Sequence, residues 1–268
     1  MSDLVDVVVY GSAGRMGQAV IRAVLESKQA RLASALVRPG SGLADEPLDR
    51  VFGALPRNVD FSTSLDPDVQ CNVLVDFSGS NSFDAALALA LERRIAFVSG
   101  TTGLRDEQRL AMHNAARSIP ALWSANFSLG VAMLERMARR VASTFPEWDC
   151  DIIEMHHARK QDAPSGTALV LGQAVADGHG AKLEDHAVFA RHGQVGPRKL
   201  GEIGFASLRG GDIVGEHTVI FATESERLEL THRAGSRDIF ARGALAAAIW
   251  IARREPGVYT FDQVLAPE

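Results

Sequence analysis

The sequence predicts an α/β chain in two parts: a parallel sheet wrapped by helices, and a smaller part dominated by strands. Three observations predict it. Residues 5–126 alternate short β-branched runs with amphipathic helical runs, the pattern of a sheet covered on both faces. After a helix at about 128–143 that rhythm breaks, and several strand-like runs follow. Over about 238–254 the chain returns to one Ala-rich, strongly apolar helix.

The elements follow in order. VDVVVY (5–10) is too short for a helix and reads as a buried parallel strand. GSAGRMG comes next, then QAVIRAVLES, with Val20, Ile21, Val24 and Leu25 at helical spacing. A second strand fits ARLASALV (30–37), and the Gly-, Pro- and Asp-rich stretch 38–68 reads as irregular. NVLVDFS (72–78), FDAALALALERR (83–94) and IAFVSGT (95–101) repeat the strand–helix–strand unit, and a helix at 106–117 and the strand PALWSAN (120–126) continue it. Beyond the helix at 128–143, a strand fits 149–157 and a helix 165–178. Strand-like runs then occupy 187–192, 202–210, 212–223 and 227–234. In the last, Leu228, Leu230 and His232 share one face, with Glu229 and Thr231 on the other. Gly210-Gly211 is a turn signal that suggests antiparallel pairing. The apolar final helix is expected to bury itself against the first part.

Composition narrows the function classes. The 268 residues are 46% hydrophobic with a formal net charge of −5, and mean hydropathy is near zero. That is a globular composition, long enough for a proper core. No apolar run approaches the roughly 20 residues that cross a bilayer. MSDLVDVVVYG has no basic stretch before its apolar run, so no secretory signal is expected. Cys71 and Cys150 alone make neither a disulfide framework nor a four-cysteine zinc site, and a reducing cytoplasm fits them. The negative charge argues against duplex nucleic acid as a partner.

Gly11, Gly14 and Gly17 fall at three-residue spacing between the first strand and its helix. This departs from the dinucleotide pattern G-x-G-x-x-G, because Ser12 and Ala13 displace the second glycine. The physics survives the shift. Glycine removes the Cβ where backbone meets a pyrophosphate, and the helix start at Arg15 and Met16 presents N–H groups and a positive dipole end. A plain glycine turn would leave the same spacing, but the strand–turn–helix context favours a nucleotide. Gly100-Thr101-Thr102 and Ser124-Ala125-Asn126-Phe127 lie beyond the carboxyl ends of later strands, where open sheets bind ligands. Either is also an ordinary turn.

EMHHARKQDAPSGTA (154–168) gathers more chemistry than any other segment. Pro164 suits the approach to a helix, Ser165 is a natural N-cap, and Gly166 and Thr167 supply first-turn N–H donors. That is a cradle for a carboxylate or phosphate. His156, His157 and Lys160 stand just upstream, as proton transfer to a bound acid requires. The competing reading is that adjacent histidines alternate faces on a strand, one in the core and one on the surface. No metal is expected: there is no H-E-x-x-H, and His186, His192, His217 and His232 lack ligand spacing. No G-x-S-x-G elbow marks a serine hydrolase.

Together these segments resemble the dihydrodipicolinate (4-hydroxy-tetrahydrodipicolinate) reductase family of bacterial lysine biosynthesis. The likeness runs through GSAGRMG, GTTG (100–103), ANFSLGV (125–131), EMHHARKQDAPSGTA, RGGDIVGEHTV (209–219) and ERLELTHRAGSRDIFARGA (226–244). It implies a Rossmann-type dinucleotide-binding domain of residues 1–126 and 237–268. An α+β domain of residues 127–236, with a mixed, largely open sheet, is inserted for substrate binding and tetramerisation. It also implies a cytoplasmic homotetramer that uses NAD(P)H to reduce a small cyclic imine bearing two carboxylates. In that reading His156 donates or accepts a proton and Lys160 donates one. His157, Ser165, Gly166 and Thr167 hold substrate carboxylates. The cofactor sits on Gly11 to Gly17, Gly100 to Thr102 and Ser124 to Phe127. Many family members carry an acid followed by Arg after the second strand, where this chain has Val37-Arg38. Valine offers no acceptor to a ribose 2′-hydroxyl, and Arg38 offers a fork of donors to a 2′-phosphate, so NADPH is expected over NADH. Arg38 over the adenine face, or simply in solvent, is the alternative. Two competing classes are another dehydrogenase on the same scaffold, against which segment 154–168 argues, and a non-catalytic NAD(P)H sensor, against which the intact proton donors argue.

Overall fold

The computed structural model describes residues 4–53 and 59–265. The chain divides into two compact units, Met1–Ser128 with Asp238–Glu268, and Leu129–Arg237.

In the first unit, β1 (Val5–Tyr10) leads through a glycine turn into α1 (Arg15–Glu26) and on to β2 (Ala30–Leu36). Helices flank the sheet, so Val7, Val8 and Val9 are buried on both faces. The stretch after β2 is largely irregular, but it holds a single helical turn, α2 (Asp49–Phe52), and a two-residue strand, β3 (Phe61–Ser62). Its residues 54–58 lie outside the described residues. β4 (Val73–Asp76), α3 (Ser80–Arg93), β5 (Ala96–Ser99), α4 (Asp106–Ala115) and β6 (Pro120–Trp123) complete the alternation. α3 starts three residues earlier than periodicity predicts. Gly79, at φ +141, turns the chain directly into it, and its first carbonyl, Ser80 O, accepts from Gln108 Nε2.

The second unit opens with α5 (Leu129–Thr144), followed by β7 (Asp149–His156) and α6 (Gly166–Gly178). A short α7 (Leu183–His186) and β8 (Ala187–Val188) precede β9 (Ile203–Arg209), β10 (Glu216–Ala222) and β11 (Arg227–Arg233). The chain then returns to the first unit as α8 (Asp238–Ile251), β12 (Gly257–Tyr259) and a 3₁₀ turn, Phe261–Leu265.

The first sheet has the order β12-β6-β5-β4-β1-β2-β3, and every pairing is parallel. Strand order reverses at β1, between β2 and β4. The crevice beyond those carboxyl ends is where a doubly wound sheet takes a ligand. One face carries Val8, Leu74 and Phe97 under Phe83 and Ala86 of α3. α8 packs against α1 and against β4, β5 and β6, and its Gly243 allows it to approach Phe127 O where a Cβ would lie 1.7 Å away.

The second sheet has the order β11-β10-β7-β9-β8 and is mixed. β7 runs antiparallel to β10 and parallel to β9. The Gly210-Gly211 turn therefore closes no hairpin: β9 and β10 lie on opposite sides of β7. The strand expected at 187–192 shrinks to two residues; beyond it the Arg191 side chain is tied to Asp151 (2.8 Å) and Glu202 (3.4 Å). The strand expected from 212 begins at Glu216, since the preceding loop bonds elsewhere: Ile213 O accepts from His157 N at 2.8 Å. The core lies on the face under α5 and α6, where Ile152, Val219, Phe221 and Phe205 meet Leu134, Leu171 and Val175. Alternation along β7 puts Glu154 and His156 on that same inner face.

Candidate active site

The nucleotide end is built by close backbone contacts. Gly11 sits at φ +82, and a Cβ there would lie 2.7 Å from Ser78 Cα. A Cβ on Gly17 would lie 2.3 Å from Gly11 O. Gly14 is the N-cap of α1, whose first turn holds no acidic residue. Ala13, Gly14 and Arg15 are exposed there, so backbone N–H groups and a positive dipole end stand open to an anion. The turn thus fits a dinucleotide pyrophosphate. Ser12, by contrast, is buried, and its amide (3.0 Å) and hydroxyl (2.6 Å) both donate to Leu36 O. It braces the turn.

The next two loops share one buried carboxylate. Asp76 accepts from Ser78 N (2.9 Å), Ser78 Oγ (2.6 Å), Ser99 Oγ (2.7 Å) and Thr101 Oγ1 (2.8 Å). Trp123 Nε1 donates to Thr101 O at 2.8 Å, tying the end of β6 to the same loop. Gly100 is pressed against the Phe77 ring, and Thr102 faces solvent. Ser124 Oγ donates to Asn126 O at 2.6 Å. The Phe127 ring is 2% exposed and packs edge-on against Phe77 and Phe261, so any cofactor contact there falls to its backbone. Val37 is buried and Arg38 exposed; among the described residues the Arg38 guanidinium has no carboxylate partner.

The other group of predicted residues lies in the second unit, around Glu154. Glu154 is 1% exposed and accepts two hydrogen bonds from Arg209 (2.8 and 2.9 Å), one from Ser165 N (3.2 Å) and one from His156 Nδ1 (2.6 Å). Burial pushes the Glu154 carboxyl up. The hydrogen bonds from Arg209, His156 and Ser207, with the Arg209 charge, outweigh it and hold the carboxyl at about 2. Arg209 also donates to Asp162 O at 2.7 Å, tying β7 to the loop that carries Lys160. Lys160 Nζ is paired with both Asp162 oxygens at 2.8 Å, and that bond lowers the Asp162 carboxyl.

Ser165 is the N-cap of α6, as predicted, and its Oγ accepts from Ala168 N at 3.2 Å. Gly166 and Thr167 follow as the first helical residues, with N–H groups directed out of the helix start. His217 Nε2 lies 3.0 Å from Ser165 Oγ, and the His217 ring meets that of His156 edge-on at 5.1 Å. Burial, with His156 nearby, pushes the His217 imidazole down to about 4. His157 sits just past the end of β7, its amide bound to Ile213 O. The structure therefore brings His156, Lys160, Ser165, Gly166 and Thr167 around one strand end and one helix start. Among the described residues no group of three or more His, Cys, Asp or Glu is placed to hold a metal ion.

Comparison with known proteins agrees across the chain. The family models described as dihydrodipicolinate reductase, N-terminus and C-terminus, match residues 5–127 and 130–265. The chain belongs to the dihydrodipicolinate reductase family. The 4-hydroxy-tetrahydrodipicolinate reductase of Rhizobium rhizogenes is 42% identical over 98% of this chain and 97% of its own. That of Rhodopseudomonas palustris is 43% identical over 99% and 98%. A dipicolinate-bound dihydrodipicolinate reductase from Paenisporosarcina sp. TG-14 shares the fold, with TM-score 0.74 at 22% identity, over 96% of this chain and 98% of that one. Family membership makes the chain an oxidoreductase. Sequence reading missed Glu154, Arg209 and His217 as parts of the site. The i, i+2 spacing of Glu154 and His156 on one strand was the signal for the first; Arg209 and His217 arrive on neighbouring strands, and only strand order reveals them.

Proposed function

We propose that this chain reduces 4-hydroxy-tetrahydrodipicolinate to tetrahydrodipicolinate with NAD(P)H, in the lysine and diaminopimelate route. One observation carries the reading: a single segment, 154–168, supplies a carboxylate-anchored histidine, a lysine and an N-capped helix start, in a chain that also holds a dinucleotide turn. The names of relatives matched over nearly the whole chain support it.

The substrate is a cyclic imine with two carboxylates. His157, Ser165 and the Gly166 and Thr167 amides hold a carboxylate at the start of α6. Lys160 donates a proton, and His156 donates or accepts one. When bound, the reduced nicotinamide supplies a hydride to the ring carbon that loses its hydroxyl. The neighbouring carbon takes a proton, so each turnover consumes one hydride and one proton and releases one water. Residues 1–126 and 237–268 hold the cofactor; residues 127–236 hold the substrate and the subunit contacts. Exposed Arg38 beside buried Val37 supports a preference for NADPH over NADH. The homotetramer is supported by the outer face of the second sheet, where Ile153 and Leu208 are 37% and 41% exposed.

Calorimetric titration with dipicolinate, the molecule bound by the Paenisporosarcina relative, tests the site. Dipicolinate is expected to bind in the presence of NADPH. His157→Ala and Lys160→Ala should each weaken it about 10- to 100-fold, since a charge-assisted hydrogen bond contributes about 1.5–3 kcal/mol. No binding, or binding indifferent to both changes, contradicts the assignment.

A further inference from the structure

We infer that Glu154 is a positioning residue that fixes the tautomer of His156, leaving Nε2 as the nitrogen that exchanges the proton. The inference rests on His156 as the proton-transfer residue of the proposed reaction. It names which ring atom acts and what selects it.

The geometry allows one arrangement. An ionised carboxylate only accepts hydrogen bonds, and the Arg209 guanidinium on both oxygens, with the Ser165 amide, keeps Glu154 ionised, its carboxyl held at about 2. His156 Nδ1, 2.6 Å from Oε2, must therefore be the protonated nitrogen of the neutral ring. The lone pair falls on Nε2. Space is kept there: a Cβ on Gly215 would lie 3.0 Å from Nε2, so glycine leaves that nitrogen uncrowded. The same carboxylate also takes the Ser165 amide. One buried group thus sets both the proton-transfer ring and the start of the anion cradle. Arg209, bidentate on Glu154, holds the carboxylate in its plane.

Glu154→Gln separates this role from simple bracing, because the amide has the same shape and one donor end. The Ser165 N–H can only donate, so the Gln oxygen must face it. The Gln amino group then faces His156 and displaces the Arg209 Nη1 donor from that end, so the ring has to accept at Nδ1 and carry its proton on Nε2.

The test is ¹⁵N NMR of the histidine side chains in the full-length protein without substrate, at alkaline pH, with His156 assigned through a His156→Gln variant. Wild type is expected to show Nδ1 protonated and Nε2 bare. Glu154→Gln is expected to show the reverse, with kcat lowered about 100-fold or more and the NADPH dissociation constant within about twofold of wild type. Wild-type His156 protonated on Nε2 overturns the inference by itself, whether or not the variant folds. So does a Glu154→Gln protein that keeps the wild-type tautomer, or one that switches tautomer and keeps its kcat. The spectrum of the resting protein needs no substrate, so it stands even if the proposed reaction fails.

Discussion

At the residue scale, the site depends on a few side chains whose surroundings differ sharply. Lys160 is a cation clasped by Asp162 on a loop, and His156 is locked to a buried carboxylate. Lys160→Ala and His156→Ala are each expected to lower turnover by roughly 10²–10⁴ while leaving cofactor affinity nearly unchanged. Steady-state kinetics with parallel NADPH titration checks this; near wild-type turnover in either variant removes that residue from the mechanism. Arg38→Ala should cost about 10- to 100-fold in NADPH affinity and leave NADH affinity alone. Equal dissociation constants for the two cofactors in wild type would contradict that role. The clustering of His156 and Lys160 was legible because they sit four residues apart in a segment dense with titratable groups. Arg209 and His217 were not, because nothing local distinguishes an Arg or His on a strand from a surface one until pairing with β7 places it.

At the element scale, the dinucleotide turn and α6 are held by contacts that tolerate little. Gly17→Ala would drive a methyl into Gly11 O, at 2.3 Å. It should destabilise the first unit by about 1–3 kcal/mol, as overpacking does, and weaken cofactor binding. Thermal unfolding with NADPH titration reads both effects, and an unchanged dissociation constant counts against the turn as the cofactor site. Ser165→Ala removes the α6 cap and the contact to His217; a loss of about 1–2 kcal/mol is expected in denaturant unfolding. Strongly periodic elements such as α1 and β10 were legible, because burial of one face leaves its spacing in the sequence. β3, β12 and the true partners of β9 were not, and β8 was read as longer than it is. Two- and three-residue strands carry no period, and the insertion of β7 between β9 and β10 is a tertiary choice that a Gly-Gly turn cannot encode.

At the scale of the whole molecule, the buried titratable groups predict an acid response. The folded His217 titrates at about 4 rather than 6.5. Between those values the unfolded chain binds a proton that the folded one does not, so stability falls as pH drops from about 6.5 to 4. Glu154, at about 2 rather than 4.5, extends the loss downward from about 4.5. Each contributes about 3 kcal/mol at most. Urea midpoints should decline steadily between pH 7 and 4, and a flat profile contradicts the account of His217. Light scattering at micromolar concentration should report a tetramer; a stable monomer refutes that assembly. No helix among the described residues is long and apolar enough to cross a membrane. The most direct measurement mixes the protein, NADPH and the freshly made condensation product of pyruvate and aspartate semialdehyde, and follows the absorbance of the reduced cofactor. Its oxidation is expected, dependent on that product and slowed at least about 100-fold in Lys160→Ala. NADPH and NADH both left unoxidised, while another imine or an aldehyde is reduced, would contradict the proposed reaction.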